Sequence, residues 1–136
     1  EEEFFDVMLK RIKENLGRDD SVVVAPLLSM LIRMRYFEDG VGDPEAWGHE
    51  QAVVGVLVEA MKRYPENEEV QRRTTQALGG LGKNAENRVW IANVEGSLWV
   101  IKAMEQFPSS EELHSTCCYT LSTLSADESN EVAIAA

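Results

Sequence analysis

The sequence predicts an all-α protein built from a repeated unit of about 43 residues. Apolar residues recur at helical spacing, as at Leu98, Ile101 and Met104, and no segment shows the alternation typical of a strand. The phrase AMKRYP at residues 60–65 recurs as AMEQFP at residues 103–108, an offset of 43. Because a repeated helical unit buries its apolar side against its neighbours, this register predicts a stack of similar helical units.

The same offset relates further positions along the chain. The clearest pairs are Glu69 and Glu112, Val70 and Leu113, Leu78 and Leu121, Leu81 and Leu124, and Val89 and Val132. The proline that ends each phrase stops one helix, and Asn67 or Ser110 then stands as an N-cap before acidic residues. We therefore expect equivalent helices near residues 68–81 and 111–125, with apolar stripes that form the core. The side chains expected to be buried are Leu78, Leu81, Leu121, Leu124, Ile101 and Met104.

The N-terminal third reads as a degenerate copy, with a long helix near residues 20–37 and an expanded loop rich in turn residues. The whole chain is expected to form one domain. Its parts are a degenerate first repeat at 1–51, second and third helices of the next repeat at 52–82, a complete repeat at 83–125, and the start of a further repeat at 126–136. This last part predicts either a piece of a longer protein or an open end that pairs with something.

The composition of the chain argues against some classes of partner. The chain has 136 residues, 44% of them hydrophobic, and a formal net charge of −11, which would repel a phosphate backbone. No apolar run approaches the ~18 residues that a membrane span needs. Nucleic-acid and membrane partners are therefore not expected. The only two cysteines are adjacent, so a reducing compartment is favoured: the cytoplasm, with the nucleus as the alternative.

Two helix endings and the order of the predicted elements point to a family. The ending ALGGLG at residues 77–82 and the ending LSTLS at residues 121–125 are similar to the end of the third helix of an armadillo repeat. The short helix, glycine turn and two further helices of residues 84–125 follow the order of that unit. The chain therefore resembles the armadillo repeat family, of the divergent scaffold or regulator type and most strongly over residues 52–136, with the HEAT repeat as a close alternative.

The resemblance implies a right-handed α-solenoid of about three repeats, the first degenerate and the last incomplete. The sequence also departs from the pattern of importin-type members of this family. Importin-type members place Asn and Trp on the third helix to hold an extended peptide. The positions matching the Asn hold Arg33, Gly80 and Thr123, and those matching the Trp hold Ser29, Gln76 and Tyr119. The nuclear-import peptide ladder is therefore absent.

The third helices of a solenoid line its concave face, which is the usual binding surface of such proteins. The candidate protein-binding groove consists of Arg33, Arg73, Gln76, Thr116, Tyr119 and Thr123. Tyr and Arg are enriched in binding hot spots. Residues 52–88 carry five acidic and six basic residues, so this least acidic part of the chain favours an acidic protein or peptide as ligand. The alternative is that these are merely exposed helix residues.

No catalytic or metal-binding set is visible in the sequence. His49 and His114 stand alone, and Cys117 matches Thr74 as a small core residue. We therefore expect no enzyme activity, no cofactor and no metal, and predict a non-catalytic interaction module. Two alternatives remain open: a structural segment that self-associates through its ends, and an enzyme with a sparse carboxylate site such as Glu59 or Glu105.

Overall fold

A computed structural model describes residues 2–16 and 50–126 of the protein. These residues form the helices α1 (Glu2–Asn15), α2 (Glu50–Arg63), α3 (Glu68–Leu81), α4 (Ala85–Asn93), α5 (Gly96–Gln106) and α6 (Glu111–Leu124). No strand occurs within these two ranges, so the all-α prediction is confirmed. The helix predicted near residues 20–37 and residues 127–136 of the predicted further repeat lie outside the described residues.

The helices α3 and α6 begin in the same way. The Asn67 side chain accepts a hydrogen bond from the Val70 amide at 3.0 Å, and the Ser110 hydroxyl accepts one from the Leu113 amide at 3.2 Å. Each cap satisfies an amide that the first helical turn leaves without an intrahelical acceptor. Both predicted N-caps are confirmed, and two glutamates follow each in the first turn.

The turn before α5 forces an unusual backbone conformation. Glu95 has a φ of 59°, in the left-handed region, and Gly96 follows it as the first residue of α5. A Cβ atom at Gly96 would collide with the Ile91 side chain, so only glycine allows α4 and α5 to approach this closely. The predicted glycine turn is present, although the residue with a positive φ is Glu95.

One hydrophobic core runs through the described helices. Its largest fully buried side chains are Ile12, Leu57, Met61, Leu78, Leu81, Ile91, Leu113 and Leu124. The core joins α1 to α2, and α2 and α5 to α3 and α6. No helix of the described part is long and apolar enough to cross a membrane.

The prediction of a buried apolar stripe is confirmed for Leu78, Leu81 and Leu124 but wrong for three other residues. Leu121, Ile101 and Met104 are only half-buried. The difference between Leu78 and its counterpart Leu121 follows from their neighbours. The helix α3 packs against α2, α4, α5 and α6, whereas α6 packs mainly against α3 and α5.

Candidate functional site

The helices α3 and α6 lie side by side, and we call their interface the seam. The Thr120 hydroxyl of α6 donates a hydrogen bond to the Thr75 carbonyl oxygen of α3 at 2.9 Å. A Cβ atom at Gly79 would lie 2.6 Å from the Thr120 hydroxyl oxygen, so the absence of a side chain there lets the two helices touch. The seam therefore aligns α3 and α6 at a fixed register.

Polar contacts cross the N-terminal half of the seam. The Ser110 hydroxyl donates to the Glu68 carboxylate at 2.5 Å, and the Arg72 Nε lies 3.4 Å from a Glu112 carboxylate oxygen. Arg72 was not among the predicted groove residues, although it stands next to Arg73 in the sequence. The Arg72–Glu112 pair was not predictable, since its two members are 40 residues apart and meet only when the helices pack.

On α3, the predicted groove residues form one row, Arg73, Gln76 and Gly80, which we call the α3 row. Steps of three and four residues place them on one side of the helix. The Arg73 side chain is 29% exposed and lies 3.7 Å from the Glu69 carboxylate. Its Nε atom is buried and has no hydrogen-bond partner among the described residues. Gln76 is exposed. A ligand can therefore reach only the exposed part of the Arg73 side chain, which lies beside Glu69, and not the buried Nε atom.

On α6, the matching row is Thr116, Tyr119 and Thr123, which we call the α6 row. The two threonine hydroxyls donate to carbonyl oxygens of their own helix, Thr116 to Glu112 at 3.1 Å and Thr123 to Tyr119 at 3.2 Å. Both threonines are half-buried, whereas Tyr119 is 58% exposed. Tyr119 is therefore the member of this row with the most surface to offer a ligand.

The two rows are related by the 43-residue offset, since Arg73, Gln76 and Gly80 match Thr116, Tyr119 and Thr123. The seam contacts lie at other helical positions, Thr75 and Thr120, so packing leaves the side chains of Gln76 and Tyr119 exposed. Arg33 lies outside the described residues. That all six residues share one concave surface remains a prediction.

Charge around the rows is arranged in exposed pairs. Glu69 and Glu112 are 52% and 74% exposed in their ion pairs with Arg73 and Arg72. Such exposed pairs contribute only about 0–1 kcal/mol to stability, because water screens both charges. A ligand carboxylate can therefore replace Glu69 or Glu112 beside an arginine at little cost to the fold.

The groups considered for catalysis lie apart from this surface. Glu59 forms an exposed ion pair with Arg63 at 2.8 Å, and Glu105 lies on the exposed side of α5. The Nε2 atom of His114 lies within hydrogen-bond distance of two backbone carbonyl oxygens, those of Met104 and Phe107. Within residues 2–16 and 50–126, no three His, Cys, Asp or Glu side chains are grouped as metal ligands.

Cys117 lies in the core beneath the seam, as predicted from its match to Thr74. Burial raises the pKa of its thiol to about 11, and the neighbouring Thr75 hydroxyl opposes part of that rise. The thiol lies 3.8 Å from the Val100 carbonyl oxygen. A buried thiol that stays protonated is a poor nucleophile. Its neighbour Cys118 is exposed, and both cysteines are free thiols.

Comparisons with protein-family models, with curated proteins and with solved structures gave no match to this chain.

Proposed function

We propose that this protein is a non-catalytic interaction module that binds a segment of another protein along the α3 and α6 rows. In this proposal the helices form a right-handed, armadillo-like solenoid, with α3 and α6 as successive third helices on its concave face. The protein acts as a scaffold in a reducing compartment, the cytoplasm. The two free thiols are in keeping with that compartment.

The observation that carries the proposal is the repeated relationship between α3 and α6. The two helices have matching caps, lie side by side, and each presents a row of polar side chains at the same helical positions. Rows that recur at the spacing of adjacent helices can follow an extended or helical segment from one repeat to the next. Neither row contains a nucleophile next to a general base, which favours binding over catalysis.

The chemistry of the rows favours an acidic ligand segment. The partly exposed Arg73 side chain lies beside Glu69, and Arg72 lies at the seam beside Glu112. Tyr119 adds an exposed aromatic ring and a hydroxyl group. Guanidinium groups pair with carboxylates by charge-assisted hydrogen bonds, and tyrosine contributes contact area at a low entropic cost. The proposed ligand therefore places a carboxylate at Arg73 and an apolar or polar side chain against Tyr119.

The test is a phage-display selection, in which a library of random linear peptides is selected for binding to the full chain. Enriched peptides are then synthesised and titrated against the wild type, Arg73→Ala and Tyr119→Ala. The matched control is Arg63→Ala, because Arg63 also pairs with a glutamate four residues earlier. We expect acidic peptides whose affinity falls about tenfold in each row variant, equivalent to about 1.4 kcal/mol, and is unchanged in the control.

Two results would count against the proposal. One is that selection enriches no peptide. The other is that the enriched peptides bind the row variants and the wild type equally well. A concentration-dependent rise in molecular mass of the chain alone, abolished by changes at its helical ends, would instead favour a self-associating structural segment.

A further inference from the structure

A second surface lies where α2 meets α5, away from the α3 and α6 rows. A groove of about 340 Å³ lies between the C-terminal parts of α2 and α5. Its lining includes Trp99 and Pro65, the buried Met61 and Ala103, and polar side chains that include Lys102 and Glu105. Trp99 is half-buried, so part of its indole ring faces the groove.

Two lysines from different helices lie over the same indole ring. The Lys62 Nζ of α2 is 5.6 Å from the centre of the Trp99 ring, and the Lys102 Nζ of α5 is 5.1 Å from it. Each distance allows a cation–π attraction, in which the electron-rich face of the ring attracts the ammonium group. The Trp99 ring therefore holds two positive charges beside the groove.

The two ammonium groups form no ion pair within the part of the chain that the structure describes. There, no acidic side chain lies within 4.0 Å of Lys62 or Lys102. Glu105 also lines the groove, three residues after Lys102, without pairing with it. Glu59, one turn before Arg63 on α2, is occupied by that arginine. In a chain with a net charge of −11, two unpaired lysines at one aromatic ring form a local positive site.

The 43-residue repeat does not reproduce this cluster at the equivalent positions. By the 43-residue offset, Trp99 matches the fully buried Val56, Lys102 matches Glu59, and Lys62 matches Glu105. The groove also needs no ligand to satisfy its buried amide, because the Gln71 Nε2 donates to the Met61 and Tyr64 carbonyl oxygens at 3.2 and 2.8 Å. The Lys62, Trp99 and Lys102 combination is therefore particular to this one groove.

We infer that the groove between α2 and α5 is a docking site for a second protein segment, one in which an apolar side chain is flanked by carboxylates. The apolar side chain contacts Trp99 and Pro65, the apolar lining residues with exposed surface. The flanking carboxylates pair with Lys62 and Lys102, while Glu105 repels acids from the far side. Charge complementarity selects this partner, since Lys62 and Lys102 against Glu105 leave a net positive charge around Trp99 within an acidic protein. This site lies mainly on α2 and α5, so an experiment can support or contradict it independently of the proposed function.

The experiment uses the full chain labelled with ¹⁵N and follows the indole N–H signal of Trp99, assigned by its loss in Trp99→Phe. The probe is a blocked pentapeptide with a leucine between two pairs of glutamates. One control peptide has glutamines in place of the glutamates, and another has glycine in place of the leucine. The test variant is Lys62→Gln/Lys102→Gln. The matched control is Lys10→Gln/Lys13→Gln, which removes the same charge from exposed lysines of α1.

We expect a saturable shift of the Trp99 signal with the probe and little shift with either control peptide. The Lys62→Gln/Lys102→Gln variant should bind at least about fivefold more weakly, and the difference should shrink at high salt because exposed charges are screened over ~8 Å at physiological ionic strength. The response of the Trp99 signal to the probe should be unchanged in Lys10→Gln/Lys13→Gln.

Three results would overturn the inference. The first is no shift of the Trp99 signal at any probe concentration. The second is equal binding of the probe by the wild type and Lys62→Gln/Lys102→Gln. The third is a lysine-dependent shift produced by phosphatidylserine vesicles or a single-stranded oligonucleotide but not by the probe, since that would assign the groove to another class of partner.

Discussion

Gln71 and His114, which are 43 residues apart, make the same pair of hydrogen bonds. The Gln71 Nε2 donates to the carbonyl oxygens of Met61 and Tyr64, and the His114 Nε2 lies 3.1 and 3.0 Å from those of Met104 and Phe107. In both cases the acceptors are carbonyl oxygens at the end of a helix that stops before a proline. The last carbonyls of a helix have no intrahelical amide to accept from. Because carbonyls only accept, the Nε2 of His114 carries the proton.

This equivalence predicts that His114→Gln is tolerated and His114→Leu is not. Glutamine can supply the same donor, whereas leucine leaves two partly buried carbonyls with no side-chain donor. We expect a loss of about 1–3 kcal/mol in the free energy of unfolding for His114→Leu, measured by urea denaturation. His114→Gln should lose much less. Equal losses in the two variants would show that His114 acts through packing alone.

Two glycines inside helices should respond to alanine in opposite directions. A Cβ atom at Gly55 meets nothing within 4 Å, so Gly55→Ala should stabilise the protein by about 0.5–1 kcal/mol through helix propensity. A Cβ atom at Gly79 would meet the Thr120 hydroxyl at 2.6 Å, so Gly79→Ala should cost about 1–3 kcal/mol by overpacking the seam. Thermal and urea unfolding measure both changes.

The double variant Gly79→Ala/Thr120→Ala isolates the contact between these two residues. Removing the Thr120 hydroxyl relieves the overlap. The double variant should therefore lose less free energy of unfolding than the sum of the losses in the two single variants. Strict additivity would mean that Gly79 and Thr120 do not meet and that the seam has a different register.

Leu78 and Leu121 are equivalent in sequence but not in burial, and alanine scanning should separate them. Leu78→Ala removes a fully buried side chain and should cost about 2–5 kcal/mol, which includes the residual cavity. Leu121→Ala removes a half-buried one and should cost clearly less. If urea denaturation gave the two variants the same loss, α6 would have a neighbour on its outer side that buries Leu121.

The raised pKa of Cys117 predicts a pH dependence of stability. The folded state holds the thiol protonated up to a pKa of about 11, whereas the unfolded thiol has the ordinary value of 9.0. The buried thiol therefore makes its full contribution to the free energy of unfolding below pH 9. That contribution is lost as the pH rises towards 11, by at most about 2–3 kcal/mol.

Cys117→Ala lacks this titration, so the difference in unfolding free energy between it and the wild type should narrow from about pH 8 to about pH 10.5. Comparison with the variant cancels the titration of other groups. A difference that stays constant over that interval would contradict the burial of the thiol. In native protein a thiol reagent should modify the exposed Cys118 quickly and Cys117 only on unfolding.

Local signals made much of the fold predictable. The helix over residues 68–81 is observed with the predicted bounds, and the helix predicted over 111–125 is observed as Glu111–Leu124. Proline, an N-cap and acidic residues act within one turn, so the sequence displays them directly. The half-burial of Leu121 depended instead on which helices surround it.

The candidate site was predictable only in part, for the same reason. The α3 and α6 rows follow from helical spacing and the offset. The Arg72–Glu112 pair and the Lys62, Trp99 and Lys102 cluster join residues about 40 positions apart on different helices. Such contacts exist only once the helices pack.

The most direct test of the proposed binding surface is a ¹⁵N chemical-shift titration of the full chain with the tightest peptide from the phage selection. We expect the largest shifts at Arg73, Gln76, Gly80, Thr116, Tyr119 and Thr123, because these residues form the two rows. The amides of α4 should move little. Shifts confined to α2 and α5 or to the exposed side of α4, with the two rows unchanged, would contradict the assignment of the rows as the ligand-binding surface.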